Sequence, residues 1–188
     1  QRSGQIRLLA LDWKKAFDSI NLDSLYDALR RFGLPAEFIS MVAGMMECRQ
    51  FYVEDGNNTS MQRARRSGIS QGCTLSPLLF IILMTVLMRD AVDSLSAPAR
   101  RAYQSGDLAD VVCADDTLLL GSSDEHLGEF MRAVADAGKR YGMELHWGKF
   151  QLIQVQCQAK VLTPDGTQIE AKAGMEYLGT VLTHDGLP

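Results

Sequence analysis

The stretch VVCADDTLLLG, residues 111–121, sets two adjacent carboxylates, Asp115 and Asp116, between two apolar runs of strand length. Apolar residues flank a short polar centre, so the segment reads as a β-hairpin with the acids at its turn. Carboxylates held side by side repel, and each is costly to strip of water. The pair therefore implies either an exposed turn, whose geometry aspartate tolerates, or a bound cation. These residues alone leave both readings open.

Upstream, IRLLALD at residues 6–12 is a second apolar run of strand length, and it too ends in an acid, Asp12. If this strand neighbours the hairpin in one sheet, three carboxylates gather at one edge. Such a cluster stabilises poorly by itself but suits hard divalent cations, which prefer oxygen ligands. Two such ions could clamp the attacking and leaving oxygens of a phosphoryl transfer.

The remaining segments supply the frame. Asn21 reads as an N-cap with Asp23 in the first turn, and Leu22, Leu25, Tyr26, Leu29 and Phe32 follow at helical spacing until Gly33. Pro35 opens a second helix, in which Met41, Met45 and Met46 read as core filler. Residues 49–66 alternate and turn at Asp55-Gly56-Asn57, a hairpin. Ser76 and Pro77 look like an N-cap and first-turn pair ahead of a helix that is apolar nearly all round and so belongs in the middle of the fold. Ser123, Asp124 and Glu125 start another, with Leu127, Phe130, Met131, Val134 and Tyr141 on one face and Lys139 and Arg140 in its last turn. Short strands follow around Pro164-Asp165-Gly166 and in residues 176–182. This order predicts an α+β fold, with helices on one face of a mainly antiparallel sheet and no internal linker.

Bulk properties narrow the function classes. A chain of 188 residues fits one domain, and 46% apolar with 22% charged content is ordinary for a globular protein. Cys48, Cys73, Cys113 and Cys157 are scattered, without the paired spacing of a zinc site or a secreted disulfide framework, so they are expected to be reduced and the protein intracellular. The apolar run PLLFIILMTVLM, residues 77–88, falls short of the roughly 20 residues of a membrane span. A net charge of −4 argues against a free-standing nucleic-acid binder, unless a basic surface is local or supplied from outside these residues.

Five colinear segments, LLALDWKKAFDSI, SGISQGCTLSPLLF, CADDTLLLG, MELHWGKFQLI and EYLGTVLTHDG, cover the chain from residue 8 to residue 186. Together they resemble the palm of reverse transcriptases, most closely the non-long-terminal-repeat (LINE-type) retrotransposon branch. The resemblance implies an RNA-directed DNA polymerase that extends a primer on an RNA or DNA template from deoxynucleoside triphosphates, using two Mg²⁺ ions, with Mn²⁺ as a substitute. Carried over, Asp12, Asp115 and Asp116 match the metal-binding aspartates. Trp13, Ala16, Phe17, Gln71 and Gly72 fall in the nucleotide-binding stretches, with Phe17 where an aromatic ring excludes a 2′-OH. Lys149 matches a lysine that would serve the pyrophosphate leaving group. Tyr177, Leu178 and Gly179 match the turn that resembles the primer grip.

The sequence departs from the family pattern at Cys113, which replaces the usual aromatic before Ala-Asp-Asp, at Thr74 in place of proline and at His146 in place of asparagine. Against the family's pattern, residues 1–188 read as the palm core with a partial fingers segment at about 22–66, and the upstream fingers and the thumb are expected to be absent. The basic parts of the hand would then lie outside, leaving Arg63, Arg65 and Arg66 as a local cluster that either touches template phosphates or forms a solvated hairpin edge. A eukaryotic retrotransposon origin would place the protein in the nucleus, any other in the cytoplasm. Two alternatives stand beside this reading: a group II intron or retron-like reverse transcriptase, and a non-catalytic palm serving as a binding scaffold.

Overall fold

The computed structural model describes residues 4–47, 49–65, 67–158 and 160–185, so Cys48, Arg66 and Gly186 lie outside the described residues. Strand β1 (Ile6–Leu11) alternates as its sequence predicts: Leu9 and Leu11 are buried on one face, and Leu8 and Ala10 sit half-buried on the other. A short helix α1 (Ala16–Ser19) leads into α2 (Leu22–Phe32), where the Asn21 side chain accepts from the Ser24 N–H and Gly33 closes the last turn. Helix α3 (Ala36–Glu47) follows. An exposed ribbon comes next, with β2 (Gln50–Phe51) paired to β5 (Arg63–Ala64) and β3 (Glu54–Asp55) paired to β4 (Asn58–Thr59) around Gly56-Asn57.

Helix α4 (Ser76–Asp93) runs through the centre, with Leu79, Phe80, Leu83 and Leu87 fully buried. Its start differs from the expected cap. The Ser76 N–H already donates to the Cys73 carbonyl at 3.1 Å, so the chain turns before Ser76, Leu75 takes the cap position, and Ser76 becomes the first helical residue with its side chain turned inward. Helix α5 (Ala97–Ser105) was not foreseen; Ser96 caps it by accepting from the Ala99 N–H, and Glu129 accepts from both the Ser96 N–H and its hydroxyl.

The hairpin is formed by β6 (Leu108–Cys113) and β7 (Asp116–Gly121), with Cys113 facing Asp116 across a two-residue loop. Helix α6 (Asp124–Arg140) starts at the Ser123 cap and lies against α4 and β7. After a 3₁₀ turn at Trp147–Lys149 come β8 (Gln151–Val155) and the ribbon β9 (Gly174–Tyr177) and β10 (Thr180–Thr183). The main sheet is antiparallel throughout, in the order β6-β7-β1-β8.

Register decides which side chains share a face. Leu9 lies opposite Leu119 on one neighbour and Leu152 on the other, and all three are fully buried beneath the helices. Leu8, Leu118, Ile153 and Met175 form a smaller apolar cluster on the opposite face, where β9 and β10 cover it. Across the helical layer, Asp90 of α4 accepts from the Arg31 guanidinium of α2 through both oxygens and from the Tyr141 hydroxyl at 2.7 Å. A buried carboxylate is tolerated when paired and hydrogen-bonded in this way. Arg31 accordingly holds Asp90 below the usual carboxylate range, while burial and the Asp90 hydrogen bond push Tyr141 up to about 12.

Candidate active site

Register carries the two acid-bearing strands to one rim. Leu11 faces Thr117 in the β1–β7 ladder, so Asp12 follows beside Asp116. Alternation then sets Asp12 on the face of Leu8 and Ala10, and Asp116 on the face of Leu118, which is the same face of the sheet. From behind, the buried Trp13 indole donates to Thr117 Oγ1 at 3.1 Å and joins the two strands. The Asp12 carbonyl accepts the His146 N–H at 2.7 Å, although His146 Nδ1 itself has no partner among the described residues.

A cleft of about 400 Å³ opens at this rim, lined by Asp12, Asp116, Lys149, Lys172, Glu176 and Tyr177 among others. Lys149 Nζ stands 3.5 Å from Asp12 Oδ2, and both side chains reach solvent. Desolvation raises the Asp116 carboxyl above its ordinary value, and the negative charges of Asp115 and Asp12 raise it further. Among the described residues no three His, Cys, Asp or Glu side chains are drawn together as a ready metal cage. The donor set nevertheless fits a hard divalent cation: carboxylate oxygens on adjacent strands, at a point where like charge already disfavours ionisation.

The hairpin loop and the outer ribbon complete the rim. Ala114 holds φ 54°, a conformation strained for a residue with a Cβ, and Asp115 follows it in the exposed turn. The Tyr177 hydroxyl lies 3.2 Å from the Val111 carbonyl and 3.5 Å from that of Asp116, so the ribbon is tied to the acid-bearing hairpin. Leu178 and Gly179 form the ribbon's two-residue loop, both at positive φ, and Leu178 is 52% exposed at the tip. That pairing of dihedrals is the type I′ pattern, which leucine seldom occupies.

The other residues singled out in the sequence form a second group. Phe17 is half-buried, its ring stacked on Phe80 at 4.4 Å and 9°. The loop 67–75 docks beside it, with the Ile69 N–H donating to the Phe17 carbonyl and the Gly68 N–H to that of Ile20. A Cβ at Gly68 would meet the Asp18 backbone at 2.6 Å, so only glycine permits this approach. Gln71 and Gly72 are thereby presented on an exposed turn anchored to Phe17. Trp13 and Ala16 are each only 5% exposed, and a Cβ on Gly138 would strike the Trp13 ring at 2.5 Å. Their side chains therefore belong to the core, and any nucleotide contact there is left to the main chain.

Of the local basic cluster, Arg65 donates to the Asp18 carboxylate at 2.5 Å and to the carbonyls of Ser67 and Ile69, so it clamps the loop 67–75. Arg63 is exposed, and Arg66 lies outside the described residues. Lys172 and Glu176 line the cleft without having been foreseen, because no local pattern distinguishes them from solvated surface charges.

Sheet, helical layer and paired acids together define a polymerase palm. A family profile described as reverse transcriptase (RNA-dependent DNA polymerase) matches residues 1–182, and the chain belongs to that family. It is 28% identical over 150 residues to the Pol polyprotein of the type-2 retrotransposable element R2DM of Drosophila melanogaster, covering 80% of this chain and 14% of that protein. It is 27% identical to the probable RNA-directed DNA polymerase from transposon BS of the same species, over 92% of this chain and 19% of that one. These relatives lie in the non-long-terminal-repeat branch, and the chain spans under a fifth of their length. Apo telomerase from Candida tropicalis superposes with a TM-score of 0.71 at 14% identity, over 98% of this chain and 35% of that one. Telomerase from Candida albicans gives 0.67 at 16%, over 96% and 30% respectively, a likeness of fold alone. Reverse transcriptases generally use divalent metal ions and act on a nucleic-acid template. Among the described residues no helix is long and apolar enough to cross a membrane.

Proposed function

We propose that this chain is the palm of a retrotransposon reverse transcriptase, which adds deoxynucleotides to a primer 3′-OH on an RNA or DNA template. The observation that carries the reading is the placement of Asp12 and Asp116 side by side on one sheet face, with the Asp116 carboxyl raised by partial desolvation and by its acidic neighbours. Asp12, Asp115 and Asp116 would hold two Mg²⁺ ions, or Mn²⁺ in their place. When bound, the ions supply positive charge for the attacking hydroxyl and the departing pyrophosphate.

The chain's own residues do the rest. Trp13 and Thr117 fix the spacing of the two acid-bearing strands from the dry side. Lys149, already beside Asp12, carries the charge and the proton suited to a pyrophosphate oxygen. Phe17 cannot swing away from an incoming sugar because Phe80 backs its ring, so a 2′-OH meets a rigid wall. Gln71 presents an amide, and Gly72 an open backbone, to the nucleotide. Tyr177, Leu178 and Gly179 steady the primer end against the acid-bearing hairpin.

Residues 1–188 alone are expected to extend primers weakly, because they span under a fifth of the length of the two Drosophila relatives and extension depends on nucleic acid held in place. The test is primer extension by the parent protein with Asp116→Asn and Phe17→Val. Asp116→Asn should reduce synthesis by about a hundredfold to a thousandfold, the scale on which losing a charge-stabilising group acts, and Phe17→Val should admit ribonucleotides. Undiminished synthesis by Asp116→Asn would remove the polymerase reading, and unchanged rejection of ribonucleotides would remove the gate.

A further inference from the structure

Lys172 lines the cleft beside Asp12, Asp116 and Lys149, and polymerisation as proposed above gives it no part. It lies just before β9, and its main chain is fastened on both sides. The Lys172 N–H donates to the Leu152 carbonyl of β8 at 2.8 Å, and Ala171 bridges Leu152 in parallel. The carbonyl of the following residue, Ala173, accepts the His184 N–H at 3.1 Å, just beyond β10. The side chain is aimed as well. Gln151 faces Ala10 in the β1–β8 ladder and so shares the sheet face of Asp12 and Asp116. Its Oε1 accepts from Lys172 Nζ at 3.4 Å. A solvated surface lysine needs neither tether. The two lysines of the cleft also differ in their partners. Lys149 Nζ stands beside the Asp12 carboxylate, whereas Lys172 Nζ has no ion-pair partner among the described residues, although Glu176 lines the same cleft.

We propose that Lys172 is a phosphate-binding residue of the cleft, aimed by Gln151 and engaging substrate next to the carboxylate rim. An ammonium group carries three donors, and Gln151 takes one of them, so two remain for phosphate oxygens. As a compact point charge it suits a phosphate better than it suits a planar, two-pronged acceptor. Lys149 shares its charge with Asp12, which leaves room for a second cation where phosphate charge gathers. The inference rests on the polymerase reading, in which two substrate phosphates approach this rim: the triphosphate of the incoming nucleotide and the backbone phosphate at the primer end. Both present the same chemistry to Lys172, and experiment separates them.

The test uses the parent protein with Lys172→Gln, which removes the charge and keeps a polar group, Lys172→Arg, which keeps the charge, and Gln151→Leu. Steady-state primer extension reads kcat and the KM for deoxynucleotide. Fluorescence anisotropy of a labelled primer–template in EDTA reads nucleic-acid binding without chemistry. If the triphosphate is the ligand, Lys172→Gln should raise the nucleotide KM about tenfold, the effect of losing a charged hydrogen bond, with primer–template binding unchanged. If the primer phosphate is the ligand, affinity for primer–template should fall and its dependence on salt should weaken by about one unit of log–log slope. In either arm Lys172→Arg should stay close to the unaltered protein, and Gln151→Leu should move the same quantity in the same direction. A lysine that served only the fold would lower the melting temperature and leave the nucleotide KM and the salt slope alone. Lys172→Gln with both quantities unchanged overturns the proposal, and Gln151→Leu indistinguishable from the unaltered protein overturns the aiming. The polymerase reading fails separately, through undiminished synthesis by Asp116→Asn.

Discussion

The Asp116 carboxyl lies above its ordinary value of 3.8 because partial desolvation and two like charges oppose its ionisation. A folded-state value raised in this way contributes stability that is complete below the unfolded value and is lost as pH rises through the folded one. In a chelator, the melting temperature at pH 7 should therefore rise in Asp116→Asn and stay unchanged at pH 3, where both proteins carry a neutral group; thermal melts at the two pH values check it. Leu178 makes a second case. Its positive φ costs about 1 kcal/mol, and asparagine suits that turn position, so Leu178→Asn should stabilise the chain by about 0.5–1 kcal/mol in denaturant melts while weakening primer extension by the parent protein. At this scale the acids were legible, because charge at the ends of apolar strands is conspicuous. The Tyr177 bond to Val111 was not, since its partners stand 66 residues apart and only the folded ribbon joins them.

Helices α2, α4 and α6 meet at Asp90, whose carboxylate serves Arg31 and Tyr141 together. Removing one partner from a buried pair typically costs about 3–5 kcal/mol, and less where the other partner reaches water. Arg31 is 42% exposed, so Asp90→Ala should cost about 2–3 kcal/mol in urea melts. The pH dependence has two limbs. Asp90 is held below its ordinary value, so its contribution is present above the unfolded carboxyl range and fades as pH falls through the folded value. Tyr141 is raised to about 12, so its share is complete below about pH 10 and is lost toward pH 12. The acid limb should vanish in Asp90→Ala, whereas the alkaline limb should only shrink, because burial still raises Tyr141. Helices α2 and α6 were readable from Asn21, Gly33 and Ser123, residues that mark helix ends by their own chemistry. Helix α5 escaped notice although Ser96 and Pro98 mark its start, because only Ala99 and Ala102 are buried and so small a stripe gives almost no periodic signal.

Over the whole molecule, cation binding should appear as stability. At about ten times its dissociation constant a ligand adds about 1.4 kcal/mol, or about 3–6 °C for a chain of this size. Mg²⁺ or Mn²⁺ should raise the melting temperature by that amount, and Asp115→Ala should abolish the rise; a non-catalytic scaffold would show none in either protein. The fold as a whole was legible because two strands and two helices carry clean periodicities and sit in a colinear order. What the sequence left hidden is how the site is braced: Trp13 behind Thr117, Arg65 over Asp18, and Gly68 flush against Phe17 all pair residues that no local pattern connects. The Tyr177 phenol gives this bracing a mechanical side. It is fastened by one end to the outer ribbon and by the other to the strands that present the acids, so it works as a tie-rod. A load that tilts the exposed leucine tip would therefore pass through the phenol to the strand end that carries Asp116.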